Sequence, residues 1–500
     1  MGEATMHTDA IRPTGARVPT GAAASRPSTA AGLSLARSSR GRGPAVSALD
    51  AVFEPGSVAV YGASRQPAKL GHVLLRNVLT GGFRGRVVAV NPSREEVLGL
   101  GSVDRLQGPV DLALVSVPAS AAPTAVEDAA RAGCRAAIVL SSGFGETGPE
   151  GKRVEERMRG LARAAGMRLV GPNCMGVVSR LAEGWFNGSY FWRLPGAAGP
   201  VSLVSQSGAF GGMFFAEARR RGLGVARFLS VGNSADVELT EVLEWLADDP
   251  ATGVVGAFVE GFRDGRRFVE AAERCTARKP LVVLKAGKQR AGARAAASHT
   301  GSLAGSHGAA RAAFRRAGVT EAADSDHFFD LLSALTASAA PAGPSLAVLT
   351  ISGGPGVLAA DAAERLGLRL PPPSAATRAR VRELAPPFAA GGNPVDLTPQ
   401  CPPDGFPAAV RAVFEDPAYD GVVVIDCGLD VPELGQGVVE AAAATGKPVT
   451  AFVLEAPRVE EALRAAGIPL LPSPERAVAA YRARVAGVPG PDREADPWPR

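Results

Sequence analysis

From residue 57 onward, short apolar runs of four to six residues alternate with longer stretches in which apolar positions recur at helical spacing. The runs at 57–61, 87–90, 112–117 and 136–140 read as buried strands. An unbroken aliphatic run bounded by Gly or Pro fits a sheet that is covered on both faces. Each run is followed by a Gly or Pro turn and then by a helical stretch such as 124–132. The same pattern restarts at 201–204, with 254–259 and 280–284 after it, and opens again at 346–349, with 422–425 and 449–453. Strand–helix repetition of this kind builds βαβ units and predicts an α/β fold with doubly wound parallel sheets. Pro/Gly-rich breaks near 195–200 and 339–344 divide the chain into three domains, expected at 46–195, 196–340 and 341–484.

Composition narrows the reading. Five hundred residues suit about three domains. With 46% apolar and 21% charged residues, the chain has enough core to fold, which excludes a wholly disordered protein. No run approaches 18 uninterrupted apolar residues, so no membrane span is expected. Cys134, Cys174, Cys275, Cys401 and Cys427 form no Cys-x-x-Cys pair, and a reducing, cytoplasmic compartment is expected. Cys174, after Pro172 and Asn173, reads as a packed small residue rather than a nucleophile.

The net charge of +5 imitates a nucleic-acid signal. Residues 1–45, however, carry six Arg against Glu3 and Asp9, which is four of those five charges. The body is near neutral, has no Lys/Arg block and is only 5% aromatic, so no nucleic-acid partner is expected. Residues 1–45 are Ala, Ser, Thr, Gly, Pro and Arg with almost no aliphatic content. Such a segment cannot offset its ordering entropy and is expected to be disordered, although an Arg- and Ser-rich start also imitates a transit peptide. Residues 485–500, rich in Pro, are expected to form a loose end.

The chemistry sits in the turns. After the first strand comes Gly62-Ala-Ser-Arg-Gln-Pro-Ala-Lys-Leu-Gly71, a small-residue turn that lets backbone N–H groups approach a phosphate at a helix N-terminus. It is not Gly-x-Gly-x-x-Gly, and Asn91-Pro-Ser-Arg94 after the second strand puts a cation where an NAD site wants a carboxylate. An NAD-linked oxidoreductase is therefore the weaker reading, and a phosphate-rich nucleotide that needs Arg94 fits better. The second and third series open alike, with Ser205-Gln-Ser-Gly-Ala209 and Ser352-Gly-Gly-Pro-Gly356. Each places hydroxyls and open N–H groups where the helix dipole favours an anion, although Ser and Gly are also ordinary caps.

Of five His, none forms a His-x-x-x-His pair or lies near a Cys at ligand spacing, so no metal site is expected. His299 stands apart because its neighbours in Ala297-Ser-His-Thr-Gly-Ser-Leu-Ala-Gly305 are small, leaving room for a large group beside the ring. A neutral imidazole can act as a nucleophile, and a polar loop histidine is the plain alternative. A phosphorylated imidazole needs its other nitrogen fixed by a carboxylate. Glu260, ending an apolar run, would stand at the carboxyl edge of a sheet where α/β ligands bind; Asp236 is the lesser candidate.

Taken together these segments resemble the α-subunit side of the NDP-forming acyl-CoA synthetases, close to ADP-forming acetate–CoA ligase and kin to succinyl-CoA synthetase. Further carriers are Ser142-Gly-Phe-Gly-Glu146, Gly171-Pro-Asn-Cys174, Gly232-Asn233, Glu260-Gly261, Ser298-His-Thr-Gly301 and Asn393-Pro-Val-Asp396, in family order over about residues 48–484. The resemblance implies a Rossmann-like CoA-binding domain followed by two flavodoxin-like domains. It implies that acyl-CoA, phosphate and NDP give carboxylic acid, CoA and NTP through an acyl phosphate and a phosphohistidine. His299 matches the phosphorylated histidine and Glu260 its carboxylate. Ser205, Ser207, Gly208, Gly353 and Gly354 match the two helix ends that hold the phosphoryl group. Gly62, Ala63, Ser64, Arg65, Arg94, Ser141, Ser142, Gly143 and Asn173 match CoA contacts.

No ATP-grasp module and no Gly-x-x-x-x-Gly-Lys-Ser/Thr loop is apparent. The resemblance therefore implies that ADP/ATP (or GDP/GTP) and Mg2+ belong to a separate ATP-grasp β subunit in a hetero-oligomer. The rival of another class is a non-catalytic CoA- or acyl-CoA-binding regulatory protein, which would need neither His299 nor Glu260.

Overall fold

A computed structural model describes residues 44–294, 306–337, 343–387 and 389–485. His299, almost all of the N-terminal tail and residues 486–500 lie outside them. The helix Pro44–Phe53 opens two residues inside the stretch expected to be disordered, with Pro at its first position, where the missing N–H costs nothing.

The first sheet holds β1 (Ser57–Tyr61), β2 (Arg86–Val90), β3 (Glu96–Val97), β4 (Leu100–Val103), β5 (Leu112–Val115), β6 (Ala136–Val139) and β7 (Arg168–Val170), in the order β3-β4-β2-β1-β5-β6-β7. It is parallel except for the β3–β4 pair. The chain therefore reverses its winding direction between β1 and β5, and a crevice opens outside their carboxyl ends.

The second sheet holds β8 (Gly176–Leu181), β9 (Gly184–Ser189), β10 (Ala198–Ser205), β11 (Val225–Ser230), β12 (Val254–Val259), β13 (Leu281–Lys285) and β14 (Thr320–Glu321), in the order β14-β13-β12-β10-β11-β8-β9. Numbered from β10, its parallel part follows the flavodoxin order 2-1-3-4-5. β11 escaped the sequence pattern because Arg227 interrupts it. That arginine is 2% exposed and is matched by Asp249 at 3.2 Å and Glu54 at 2.5 Å. The β8–β9 hairpin, placed by sequence with the first domain, pairs antiparallel with β11 and so extends the second sheet. The break expected at 195–200 runs into β10, and Pro200 sits where the register with β11 shifts, a position that tolerates a missing donor.

The third sheet holds β15 (Leu346–Thr350), β16 (Ala390–Gly391), β17 (Val395–Asp396), β18 (Gly421–Cys427) and β19 (Val449–Leu454), in the order β16-β17-β15-β18-β19. A parallel bridge from Ala451 to Leu470 adds a sixth position beyond β19.

One continuous apolar core joins the first two sheets, running from Leu49 and Val58 through Val204 to Phe268. Phe53 stacks on Trp245 at 4.2 Å across that junction, and the Trp245 indole N–H donates to Asp50 at 2.8 Å. The third domain has its own core and meets the second through Ala334 and a buried ionic clamp. Asp330, on the helix Ser325–Thr336, accepts from Arg221 at 2.6 Å and from Arg476 at 2.5 Å.

Candidate active site at the strand carboxyl ends

The first turn is shaped by two glycines. Gly62 has φ +85°, and a Cβ there would lie 2.2 Å from the Ser116 carbonyl; a Cβ on Gly71 would lie 1.9 Å from the Gly62 carbonyl. The helix Leu70–Thr80 therefore packs directly on the turn after β1. This explains the long Gly–Gly spacing, since the second glycine serves helix contact rather than a dinucleotide fingerprint. Outside β1 and β5 opens a cleft of about 870 Å³, and Gly62, Ser64, Ser141 and Ser142 are among the residues that line it. Lys69, Arg105 and Arg131 bring cations to it, and Leu70, 55% exposed, brings apolar surface. Tyr190 closes one wall, its hydroxyl donating to Ser116 Oγ at 2.8 Å.

Other expected CoA residues stand elsewhere. Ala63 is fully buried, its carbonyl accepting from Asn91 at 2.5 Å, and Arg65 is exposed on the turn. Arg94 lies on the rim, paired at 2.6 Å with Asp104, which does line the cleft. The guanidinium's hydrogen bond holds the Asp104 carboxyl below its usual range. Gly143 donates its N–H to Glu146 at 2.6 Å. Asn173 donates its side-chain amide to Asn233 at 3.3 Å and its backbone N–H to Ser141 at 2.9 Å.

The two later turns repeat one device. Ser205 Oγ donates to the Ser207 carbonyl at 2.6 Å and accepts the Ser207 N–H at 3.1 Å. Thr350 Oγ1 does the same to Ser352, at 2.9 and 2.8 Å. Ser207 caps the helix Gly208–Arg221 by accepting from Phe210 N–H at 3.4 Å, and Ser352 precedes the helix Gly353–Arg365. The Ser205 hydroxyl is spent on shaping its turn, so the open anion donors there are the first helical N–H groups, beginning at Gly208. Gly353 and Gly354 are exposed at the other helix start.

β10 and β12 are register neighbours, Ser205 opposite Phe258, which puts Glu260 beside the Ser205–Gly208 turn at the reversal point of the second sheet. Gln206 ties the two together. Its Oε1 accepts the N–H of Glu260 at 2.6 Å and of Gly261 at 3.1 Å, and its Nε2 donates to the Gly261 carbonyl at 3.0 Å. Glu260 and Gln206 line a cavity of about 220 Å³ with Asn233, Thr240 and Phe262, and with Gly145, Lys152 and Glu155 from the first domain.

The loop 141–145 leads from one site to the other: Ser141 and Ser142 line the cleft and Gly145 lines the cavity. Asn233 fastens this loop, its Nδ2 donating to Glu146 at 2.6 Å and Glu155 at 3.0 Å. Burial alone would raise the Glu146 carboxyl, but the hydrogen bonds from Asn233 and Gly143 bring it below its usual value.

Asp236 is not part of this site. Its two oxygens are taken by Arg163 at 2.9 Å and by Arg168 at 2.7 Å with the Leu169 N–H at 3.0 Å, so it fastens the seam between the first two sheets. Cys174 is buried and its thiol is pushed up to about 12, which leaves it no thiolate to react with. Among the described residues no group of three or more His, Cys, Asp or Glu is placed to hold a metal ion, and no helix is long and apolar enough to cross a membrane. The sequence reading missed Gln206, Asn233, Tyr190 and the cleft cations. Gln206 and Asn233 lay inside quoted motifs, whereas Arg105 and Arg131 carry no local signal.

Residues 56–180 match the CoA binding domain family, 198–335 the succinyl-CoA ligase like flavodoxin domain and 346–481 the Ligase-CoA domain. The acetate–CoA ligase [ADP-forming] I subunit alpha of Pyrococcus furiosus is 37% identical over 450 residues, 87% of this chain and 96% of its own length. The acetate–CoA ligase [ADP-forming] I of Archaeoglobus fulgidus is 39% identical over 441 residues, 86% of this chain but 62% of its own length. A solved structure of Ca. Korarchaeum cryptofilum dinucleotide forming acetyl-coenzyme A synthetase 1, in complex with phosphate and ADP, aligns with a TM-score of 0.81 at 36% identity, covering 87% of this chain and 96% of that one. Three matched domains in order, with near full-length likeness to α subunits, place the chain in the ADP-forming acetate–CoA ligase family, on its α-subunit side.

Proposed function

We propose that the chain is the CoA-binding and phosphohistidine subunit of an NDP-forming acyl-CoA ligase of the cytoplasm, completed by an ATP-grasp β subunit that holds the nucleotide and Mg2+. The observation that carries this reading is the loop 141–145, which runs from the cation-lined cleft to the cavity beside Glu260. CoA lies in the cleft, its phosphates met by Lys69, Arg105 and Arg131, with Arg94 at the rim. A phosphate oxygen attacks the thioester carbonyl, the C–S bond breaks, and CoA leaves as the thiolate. A ring nitrogen of His299 then attacks phosphorus, the bond to the acyl oxygen breaks, and the carboxylate departs. Glu260 orients the imidazole, and the helix starts at Gly208 and Gly353 stabilise the dianionic phosphoryl group. The terminal oxygen of the NDP on the partner finally takes the phosphoryl group as the N–P bond breaks.

The test is incorporation of labelled phosphate from short acyl-CoAs, with the chain alone and with an ATP-grasp β subunit. The expected label is acid-labile and base-stable, lost in His299→Ala and strongly reduced in Glu260→Gln, with CoA affinity kept in both. CoA binding without label under either condition would favour the regulatory protein instead.

A further inference from the structure

Lys285 ends β13 beside the strand that leads into Glu260, with Val259 as its register partner. The other four residues of β13 are Leu281, Val282, Val283 and Leu284, and Lys285 is buried with them at 4% exposure. Its Nζ donates to the Glu260 carbonyl at 2.8 Å and to the Ala286 carbonyl at 2.5 Å. Among the described residues no carboxylate lies within ion-pair distance of it. The other cations around the cavity are matched, Lys152 by Glu155 at 2.6 Å and Arg263 by Glu238 at 3.4 Å. Burial pulls the Lys285 ammonium below its ordinary value, and Glu260 is the carboxylate that most strongly opposes that pull, against Lys288 and with Glu321.

A buried ammonium is costly, and an apolar side chain would fill this strand end without that cost. Its contacts fit a different task. We propose that Lys285 is the positioning residue for Glu260: its ammonium locks the turn from which the carboxylate projects and supplies the buried charge that keeps it ionised. The proposal rests on the reading of Glu260 given above. Among the described residues, Lys152 and Glu155 from the helix Pro149–Ala164, Glu238 before the helix Leu239–Asp248, and Arg263 in its own turn line the cavity with Glu260, and Lys285 on β13 interacts with it electrostatically. Lys285 alone among these cations has no carboxylate of its own.

The experiment measures the rate of labelled-phosphate incorporation between pH 5 and 8, together with CoA affinity, for wild type, Lys285→Met and Lys285→Gln. An opposite charge nearby lowers a carboxyl by about 1–3 units, so removing it should move the acid limb of the profile upward by about one unit. Lys285→Met should also label at least about tenfold more slowly while binding CoA within about twofold of wild type. Lys285→Gln keeps amide donors for the two carbonyls, so its limb should move as far with a smaller loss of rate. An unmoved acid limb in either folded variant overturns the assignment, even with a slower rate, because lost packing alone does not shift a titration. If the wild-type chain takes no label either alone or with an ATP-grasp β subunit, the reading of Glu260 itself falls and Lys285 with it. Label in wild type with unmoved limbs removes Lys285 alone.

Discussion

Replacing Asp330 with Ala should loosen the third domain from the second without unfolding either. The Asp330 side chain is 7% exposed and stands between Arg221, 5% exposed, and Arg476, 14% exposed. Arg221 ends the helix whose other end is the Ser207 turn, and Arg476 lies in the first turn of the third-domain helix Pro474–Arg482. Removing the carboxylate strands two buried guanidinium groups, a loss of about 3–5 kcal/mol for a broken buried pair. Arg221 keeps Glu217 at 2.8 Å, and both arginines keep the exposed Asp326 at 3.5 Å. The lower end, about 3 kcal/mol, is therefore expected, or roughly a hundredfold in the docking equilibrium at about 1.4 kcal/mol per decade.

Hydrogen exchange reads this directly. Amides of the helix Pro474–Arg482 should exchange up to about a hundredfold faster, while those of the first sheet stay unchanged. Because the two helix starts sit on the two domains joined by this clamp, label on His299 should also fall while CoA affinity holds. A double-mutant cycle with Arg476→Ala should show strong coupling. Unchanged exchange in that helix, with additive single mutants, would refute the clamp as the link between the domains.

Two further outcomes follow from named side chains. Asp426 is fully buried, and its carboxyl is raised to about 6 from 3.8 by that burial, against one hydrogen bond from the Leu429 N–H. The folded state thus holds this proton more tightly than the unfolded chain. Its contribution is full below the unfolded value and is lost as pH rises through about 6. Asp426→Asn should stabilise the fold at pH 7.5 by up to about 3 kcal/mol for a two-unit gap, read as a higher melting temperature, and change stability little at pH 4; an equal gain at both would sink the argument. In the cleft, Arg131 is paired with Asp128 only at 3.5 Å, so Arg131→Ala should weaken CoA about tenfold by calorimetry. Unaltered affinity would move the phosphate contact elsewhere.

The hydrophobic pattern alone located the strands that build the middle of each sheet. Apolar runs such as 254–259 and 422–425 carry their own signal, because a strand buried on both faces must be aliphatic throughout. It was also enough to place Glu260, since a carboxylate following such a run has to emerge at the strand's carboxyl edge. The β8–β9 hairpin and β11 were not legible. Their polar residues, Asn187, Ser189 and Arg227 among them, interrupt the apolar runs, and Arg227 is matched by Glu54 and Asp249, which are distant in sequence. The same holds for Asp236, whose isolated carboxylate looked available until Arg163 and Arg168 folded onto it from about seventy positions away. Local sequence determines which residues follow a strand and which begin a helix, because those choices depend on neighbours within a few positions. Which charges meet, whether Arg168 against Asp236 or Arg476 against Asp330, was decided only by the tertiary structure. Electrostatic pairing depends on distance through space, and burial removes the water that would otherwise screen each group alone.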